Sequence, residues 1–284
     1  MWSTETDSRK ASFPIEYGYS KSHQSSFQPL EHPLEAMGAS CVLSIPLIFS
    51  AVGLHHKAFT SPNPPTKTER NSEGFVEKTL FRSIAFVTVG QKGLIWLVGG
   101  AEAAVILAKN APNWKYSSSI LKCLVPSGDF SMIGAMDPYF CIGTGLVIAG
   151  GALRWSCYRA LGKMFTYEVS VQKEHNLITS GPYGFVRHPS YTGVLLIIAG
   201  LFIWQGGPNS WMRQSGILAS WAGKGFAAAC AAWLGTLGES TSIYWTIFRA
   251  LMTRIEDTLL SNEFGNQWSE WATRVPYLLF PYIY

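Results

Sequence analysis

The chain has 284 residues, of which 48% are hydrophobic and only 14% charged, with eleven tryptophans and a formal net charge of +4. A soluble enzyme carries nearer a quarter charged residues, so the profile favours an integral membrane protein. No basic block with interleaved aromatics points to nucleic acid, and five scattered cysteines without C-x-x-C spacing imply neither a metal site nor a disulfide framework.

Residues 1–35 are rich in Ser, Gln, His and Pro and read as a disordered tail without the apolar stretch of a cleavable signal. Ala36 to Leu54 is an uncharged run of nineteen residues, long enough to span a bilayer. Ser61-Pro62-Asn63-Pro64-Pro65-Thr66 is an extended connector that cannot be helical. A second apolar segment runs from Ser83 to Ala108, interrupted by Lys92 and Glu102, which are too far out of phase to share a helix face. Pro138 to Leu153 gives a short third span that borrows Phe130 and Trp155 at its ends, Pro189 to Gln205 a fourth, and Gly216 to Leu237, with Lys224 inside it, a fifth. Gly143-Thr144-Gly145 is a fragment of a dinucleotide-binding motif. Lying inside span three without a preceding strand, it reads as a helix-packing contact.

The expected architecture is all-α, a polytopic membrane helix bundle of about five transmembrane helices. Residues 36–137 form an N-terminal transmembrane region, and 138–284 form a core that ends in an amphipathic helix. Loop charges set the orientation: thirteen Lys and Arg fall on the side of residues 154–187 and 249–274, seven on the other, and two inside spans. The positive-inside rule makes the richer side cytosolic.

Two blocks on that side carry chemistry. From Gly181 to Gly193 the chain places Arg187-His188, Tyr183, Tyr191, Pro182 and Pro189 at the lip of the fourth span. Gly181-Pro182 is a turn signal, and Pro189 suits the first turn of a helix whose free N–H groups can receive an anion. Singly, these residues would serve as juxtamembrane anchors or caps. Together they read as a site, because ionisable groups near hydrocarbon are costly. The second block, Arg254-Ile255-Glu256-Asp257-Thr258-Leu259-Leu260 followed by Phe264-Gly265 and Trp268, is an amphipathic helix ending around Gly265.

These blocks resemble the isoprenylcysteine carboxyl methyltransferase family, integral membrane enzymes that use S-adenosylmethionine. The pattern comprises Leu161-Gly162, Phe165-Thr166, His175-x-Leu177-Ile178-Thr179-Ser180-Gly181-Pro182-Tyr183 and Arg187-His188-Pro189-Ser190-Tyr191-x-Gly193. It resumes at Glu256-Asp257-x-x-Leu260, Phe264-Gly265 and Arg274-Val275-Pro276. The resemblance implies a cofactor pocket lined by His175, Asn176, Leu177, Ile178, Tyr183, His188, Pro189, Ser190, Tyr191 and Glu256. It also implies a prenylated protein or prenylcysteine as substrate, a lipid bilayer as its surroundings, the endoplasmic reticulum as location, and no metal or nucleic acid.

One departure stands out. Family members commonly carry an arginine four residues before the glutamate, where this chain has Met252. Arg254, Arg249 and Arg187 are the candidates to hold the acceptor carboxylate, Arg254 being nearest in sequence to Glu256. A carboxylate acceptor is ionised at neutral pH, so no general base or catalytic triad is required. What the protein must supply is alignment and exclusion of water. Another lipid-phase acceptor, such as a phospholipid amine or a terpenoid acid, is the alternative enzyme reading. A membrane scaffold or transporter with a vestigial pocket is the non-enzyme one.

Overall fold

The computed structural model describes residues 32–63, 75–165, 176–221, 223–225, 254 and 256–282. Among them the regular elements are helices: α1 (His32–Ala58), α2 (Phe75–Asn110), α3 (Ser117–Leu124), α4 (Pro138–Leu161), α5 (Pro189–Gly206), α6 (Trp211–Gln214) and, near the C-terminus, α7 (Asn266–Arg274). Residues 256–264 are also helical. Three helical stretches are long and apolar enough to cross a membrane, namely Thr88–Asn110, Pro138–Met164 and Pro189–Gln214, and Val42–Ala58 is a shorter apolar helix. The protein is a multi-pass, all-α membrane bundle.

The centre of the bundle is the α4–α5 pair, with α1 against α4 and α2 against α1. Glycine spacing explains how closely the pair approaches. An added Cβ at Gly150 would lie 2.5 Å from the Gly193 carbonyl oxygen, and one at Gly200 would lie 2.6 Å from the Gly143 carbonyl oxygen. At Gly143 it would meet the Trp204 backbone nitrogen at 2.5 Å, whereas at Gly145 it would meet nothing within 4 Å. Only side chains as small as hydrogen allow the two backbones into contact, as in membrane helix pairs generally. The expected packing role of the Gly-Thr-Gly fragment therefore belongs to Gly143. Ile48, Ala51, Val52, Ile106, Phe140, Val147 and Trp204 form the core where α1, α2, α4 and α5 meet, and Trp204 packs edge-on against Phe140.

The boundaries differ from the sequence expectations in physically specific ways. Helix α1 begins at His32, four residues before the uncharged run and inside the expected tail, with Pro33 in its first turn where a missing N–H is no loss. The third span does not stop at Leu153. Helix α4 continues to Leu161 because Arg154, expected in the loop, is buried and its charge is satisfied inside the bundle. Its Nε donates to the Ala58 carbonyl and to Tyr158 Oη at 2.7 Å, and Nη1 donates to the Ser190 carbonyl at 3.5 Å. Charge counting along a sequence has no access to such partners.

Where the fifth span was expected to begin, Gly216 takes a left-handed turn (φ +70°) and Ile217–Ala219 form a single 3₁₀ turn. Lys224 sits over the Trp221 ring at 5.2 Å. The rest of that span lies outside the described residues, as do most of the expected N-terminal tail, the second half of the proline-rich connector, His175 and Arg249. The described part of the connector, Ser61 to Asn63, is not helical. Lys92 and Glu102 point to different neighbours, in keeping with their phase. Lys92 donates to Thr60 Oγ1 at 2.9 Å, and buried Glu102 accepts from Trp204 Nε1 at 3.5 Å.

Candidate functional site

At the start of α5, sequence chemistry and fold converge. Gly181–Gly184 form a 3₁₀ turn in which Gly181 has φ +62°, a conformation that favours glycine. Pro189 then opens α5 at its first position. His188 occupies the N-cap position, yet its side chain makes no capping hydrogen bond. The imidazole is 3% exposed and both ring nitrogens face carboxylates instead: Nε2 lies 3.1 Å from Asp257 Oδ1, and Nδ1 lies 3.3 Å from Glu256 Oε2. Arg187 completes the cluster, with Nη1 donating to Asp257 Oδ2 at 2.8 Å and Nη2 to the Pro276 carbonyl at 3.2 Å. Its guanidinium stacks over the Trp268 ring at 5.8 Å.

Asp257 thus bridges the two cations, one on each oxygen. Burial alone would lower the His188 pKa, but the hydrogen bonds and charges of Asp257 and Glu256 outweigh it and raise the value to about 9. His188 is therefore protonated at neutral pH. Two cations and two carboxylates leave the cluster formally neutral, which is how ionisable groups can persist at a membrane edge.

The C-terminal segment holds this arrangement in place. The backbone N–H groups of Arg187 and His188 donate to the carbonyls of Tyr277 and Leu278, both at 2.9 Å. Thr192 Oγ1 donates to the Leu279 carbonyl, and Trp271 Nε1 donates to the Tyr183 carbonyl at 3.1 Å. The residues after α7 form a strap across the start of α5.

Of the expected site residues, the fold brings His188, Arg187 and Glu256 into one cluster, with Tyr191 beside His188 at 5.9 Å between ring centroids. Tyr183 is half-buried one turn away; burial, then the nearby Cys157 and Glu256, push its phenol well above the ordinary range. Pro189 is buried and Ser190 partly so, while Asn176 is exposed and Leu177 and Ile178 are partly buried in the segment leading to the turn. Arg254 is helical and exposed, and its side chain enters no ion pair among the described residues. Asp257, Trp268 and Trp271 were not among the expected site residues. Asp257 was visible as the second acid of the Glu-Asp pair, but which acid turns inward depends on how the helix docks.

An all-α membrane bundle with a His–Arg–carboxylate cluster at the lip of a spanning helix defines the class of protein. Residues 143–208 match the model of the isoprenylcysteine carboxyl methyltransferase (ICMT) family, a stretch covering most of α4, the turn, the Arg-His-Pro block and α5. The chain is also 29% identical over 136 residues to protein-S-isoprenylcysteine O-methyltransferase B of Arabidopsis thaliana, covering 47% of this chain. The aligned part spans about half of that relative, 55% of its length. Both findings support the isoprenylcysteine carboxyl methyltransferase family. No solved structure matches.

Proposed function

We propose that the chain transfers a methyl group from S-adenosylmethionine to the carboxylate of a prenylated cysteine, at the cytosolic face of the endoplasmic reticulum membrane. The observation that carries this reading is the protonated His188 and the Arg187 guanidinium at the uncapped start of α5, inside the stretch that matches the family.

The donor set fits the cofactor. Among the described residues, Arg187 Nε and Trp268 Nε1 are buried without a hydrogen-bond partner, and the Arg187 guanidinium lies over the Trp268 ring beside the helix start. Unsatisfied buried donors are costly, so an anionic group delivered there gains two ready partners. The backbone at the start of α5, from His188 to Tyr191, and the approach from Asn176 to Tyr183 would hold the cofactor's carboxylate and adenine, and Glu256, the more exposed acid, would take its amine or ribose hydroxyls. When bound, S-adenosylmethionine supplies an electrophilic methyl group. The protein's own work is to seat the acceptor carboxylate in line and keep water out. Arg254, Arg249 and Arg187 are the cations available for that seat, and Arg254, exposed and nearest to Glu256, is the first choice.

Membranes containing the chain, supplied with labelled S-adenosylmethionine and separately with farnesyl-cysteine, phospholipid and terpenoid-acid acceptors, should label farnesyl-cysteine. Arg254→Ala should raise the acceptor KM about ten- to a hundredfold and leave cofactor affinity nearly intact, since one charge-assisted hydrogen bond contributes roughly 1.5–3 kcal/mol. The Met252 position, where the family commonly has arginine, favours the second reading, a different lipid-phase acceptor. Label in phospholipid or terpenoid acid alone would establish it.

A further inference from the structure

A second constellation lies at the same membrane edge, where α1 and α4 end. Lys57, in the last turn of α1, places its ammonium 5.4 Å from the centroid of the Trp155 ring. Arg159, in the last turn of α4, places its guanidinium 5.6 Å from the same ring. All three side chains are exposed, Trp155 by 40%. A cation in a final helical turn is ordinarily explained by the helix dipole. That accounts for each charge separately, but not for two like charges from different helices converging on one indole.

Among the described residues neither cation meets a counter-charge. The ion pairs among the described residues all belong to the Arg187–His188 cluster, so Lys57 and Arg159 meet no carboxylate there. Their relative position is also fixed by the fold. Arg154 Nε and Tyr158 Oη both donate to the Ala58 carbonyl, next in sequence to Lys57. Asn63 Nδ2, just past α1, donates to the carbonyls of Gly162 at 2.8 Å and Phe165 at 2.9 Å, just past α4. The two helix ends are laced together by these bonds, and Lys163 follows Arg159 by one helical turn, also exposed. Two exposed cations held on a preformed frame around one amphipathic ring concentrate positive charge there, which suits an anion at the depth of the ring.

We propose that Lys57, Trp155 and Arg159 form a binding site for the phosphate headgroup of an anionic phospholipid. The indole lies at headgroup level and contacts the upper acyl chain, while the two cations beside it attract the phosphate. Indole rings and cations favour that depth on general grounds. A lipid is the occupant, as opposed to a soluble phosphate compound, because the three side chains are exposed at the ends of two apolar helices. The proposal is independent of the methyl-transfer reading.

The test is lipid retention by the purified full chain. Protein extracted in mild detergent and re-equilibrated with equimolar phosphatidylserine and phosphatidylcholine is examined by native mass spectrometry for bound lipid. The parent chain should retain phosphatidylserine preferentially. Lys57→Gln and Arg159→Gln should each weaken that preference about fivefold, as expected for one cation at an anionic surface. Lys57→Arg should preserve it, and Trp155→Leu should weaken retention of both lipids. Thermal unfolding in phosphatidylcholine alone, unchanged in the Gln variants, separates loss of the site from loss of fold. Equal retention of the two lipids by the parent overturns the proposal, as does an undiminished preference in the Lys57→Gln, Arg159→Gln double variant. Displacement of the lipid by millimolar inorganic phosphate would also overturn it, assigning the site to a soluble anion.

Discussion

At the scale of single residues, Asp257 and Glu256 are adjacent acids with unequal duties. Asp257 gives one oxygen to Arg187 at 2.8 Å and the other to His188 at 3.1 Å, and its side chain is 15% exposed. Among the described residues Glu256 pairs with His188 alone, and its side chain is 34% exposed. Removing one partner of a buried ion pair leaves the other charge uncompensated, at about 3–5 kcal/mol, whereas a partly solvated pair contributes about 1 kcal/mol or less. Asp257→Ala should therefore lower stability in detergent by several kcal/mol, and Glu256→Ala by about one. Equal losses in chemical denaturation would contradict the bridging role of Asp257. His188 adds a pH dependence with a definite sign. Its folded pKa, about 9, exceeds the ordinary 6.5. The stabilisation is thus fully present below about pH 6.5 and is lost as pH rises through 9. The melting temperature should fall through that alkaline window, and His188→Gln should remove the step.

At the scale of elements, the glycines of α4 and α5 make a graded prediction. Gly150→Ala forces a methyl to within 2.5 Å of the Gly193 carbonyl oxygen, and neither backbone can give way without parting the helices. Overpacking of this kind costs about 1–3 kcal/mol. Gly145→Ala meets open space and should be neutral or stabilising by up to about 1 kcal/mol, through helix propensity alone. Thermal unfolding of the two variants decides it. If Gly145→Ala destabilises as much as Gly150→Ala, the close approach is not what these glycines serve. The same helices show what the sequence could and could not disclose. Pro189 as the opening residue of α5, the turn at Gly181, and the stop at Gly265 with φ +51° were legible, because each is a local property of proline or glycine. The end of α4 was not, since the partners that make a buried Arg154 tolerable include the carbonyls of Ala58 and Ser190, distant in sequence. Nor was the strap from Tyr277 to Leu279, whose bonds to Arg187, His188 and Thr192 are made by backbone carbonyls that any residue type would present.

At the scale of the whole molecule, the elements of both constellations gather at one membrane edge. The ends of α1 and α4, the start of α5, the Glu256–Asp257 pair and the strap are tied together by Arg154, Asn63, Arg187 and Thr192. Placing Arg154 inside the bundle removes it from the loop count on that side, leaving twelve cations against seven. The asymmetry survives the correction, because it never depended on one residue. By the positive-inside rule this edge is still expected to face the cytosol. A tag following Tyr284 should be open to protease in sealed microsomes, while one in the loop between α2 and α3, which carries Lys115, should be protected until detergent is added. The orientation bears directly on chemistry. A charged, water-soluble methyl donor and a substrate carried by bilayer lipid can meet only at an edge facing the compartment that holds the donor. Protection of the C-terminal tag would reverse the topology and remove the methyl-transfer reading with it. The Asp257 bridge and the α4–α5 glycine contacts would stand, because neither depends on which side the edge faces.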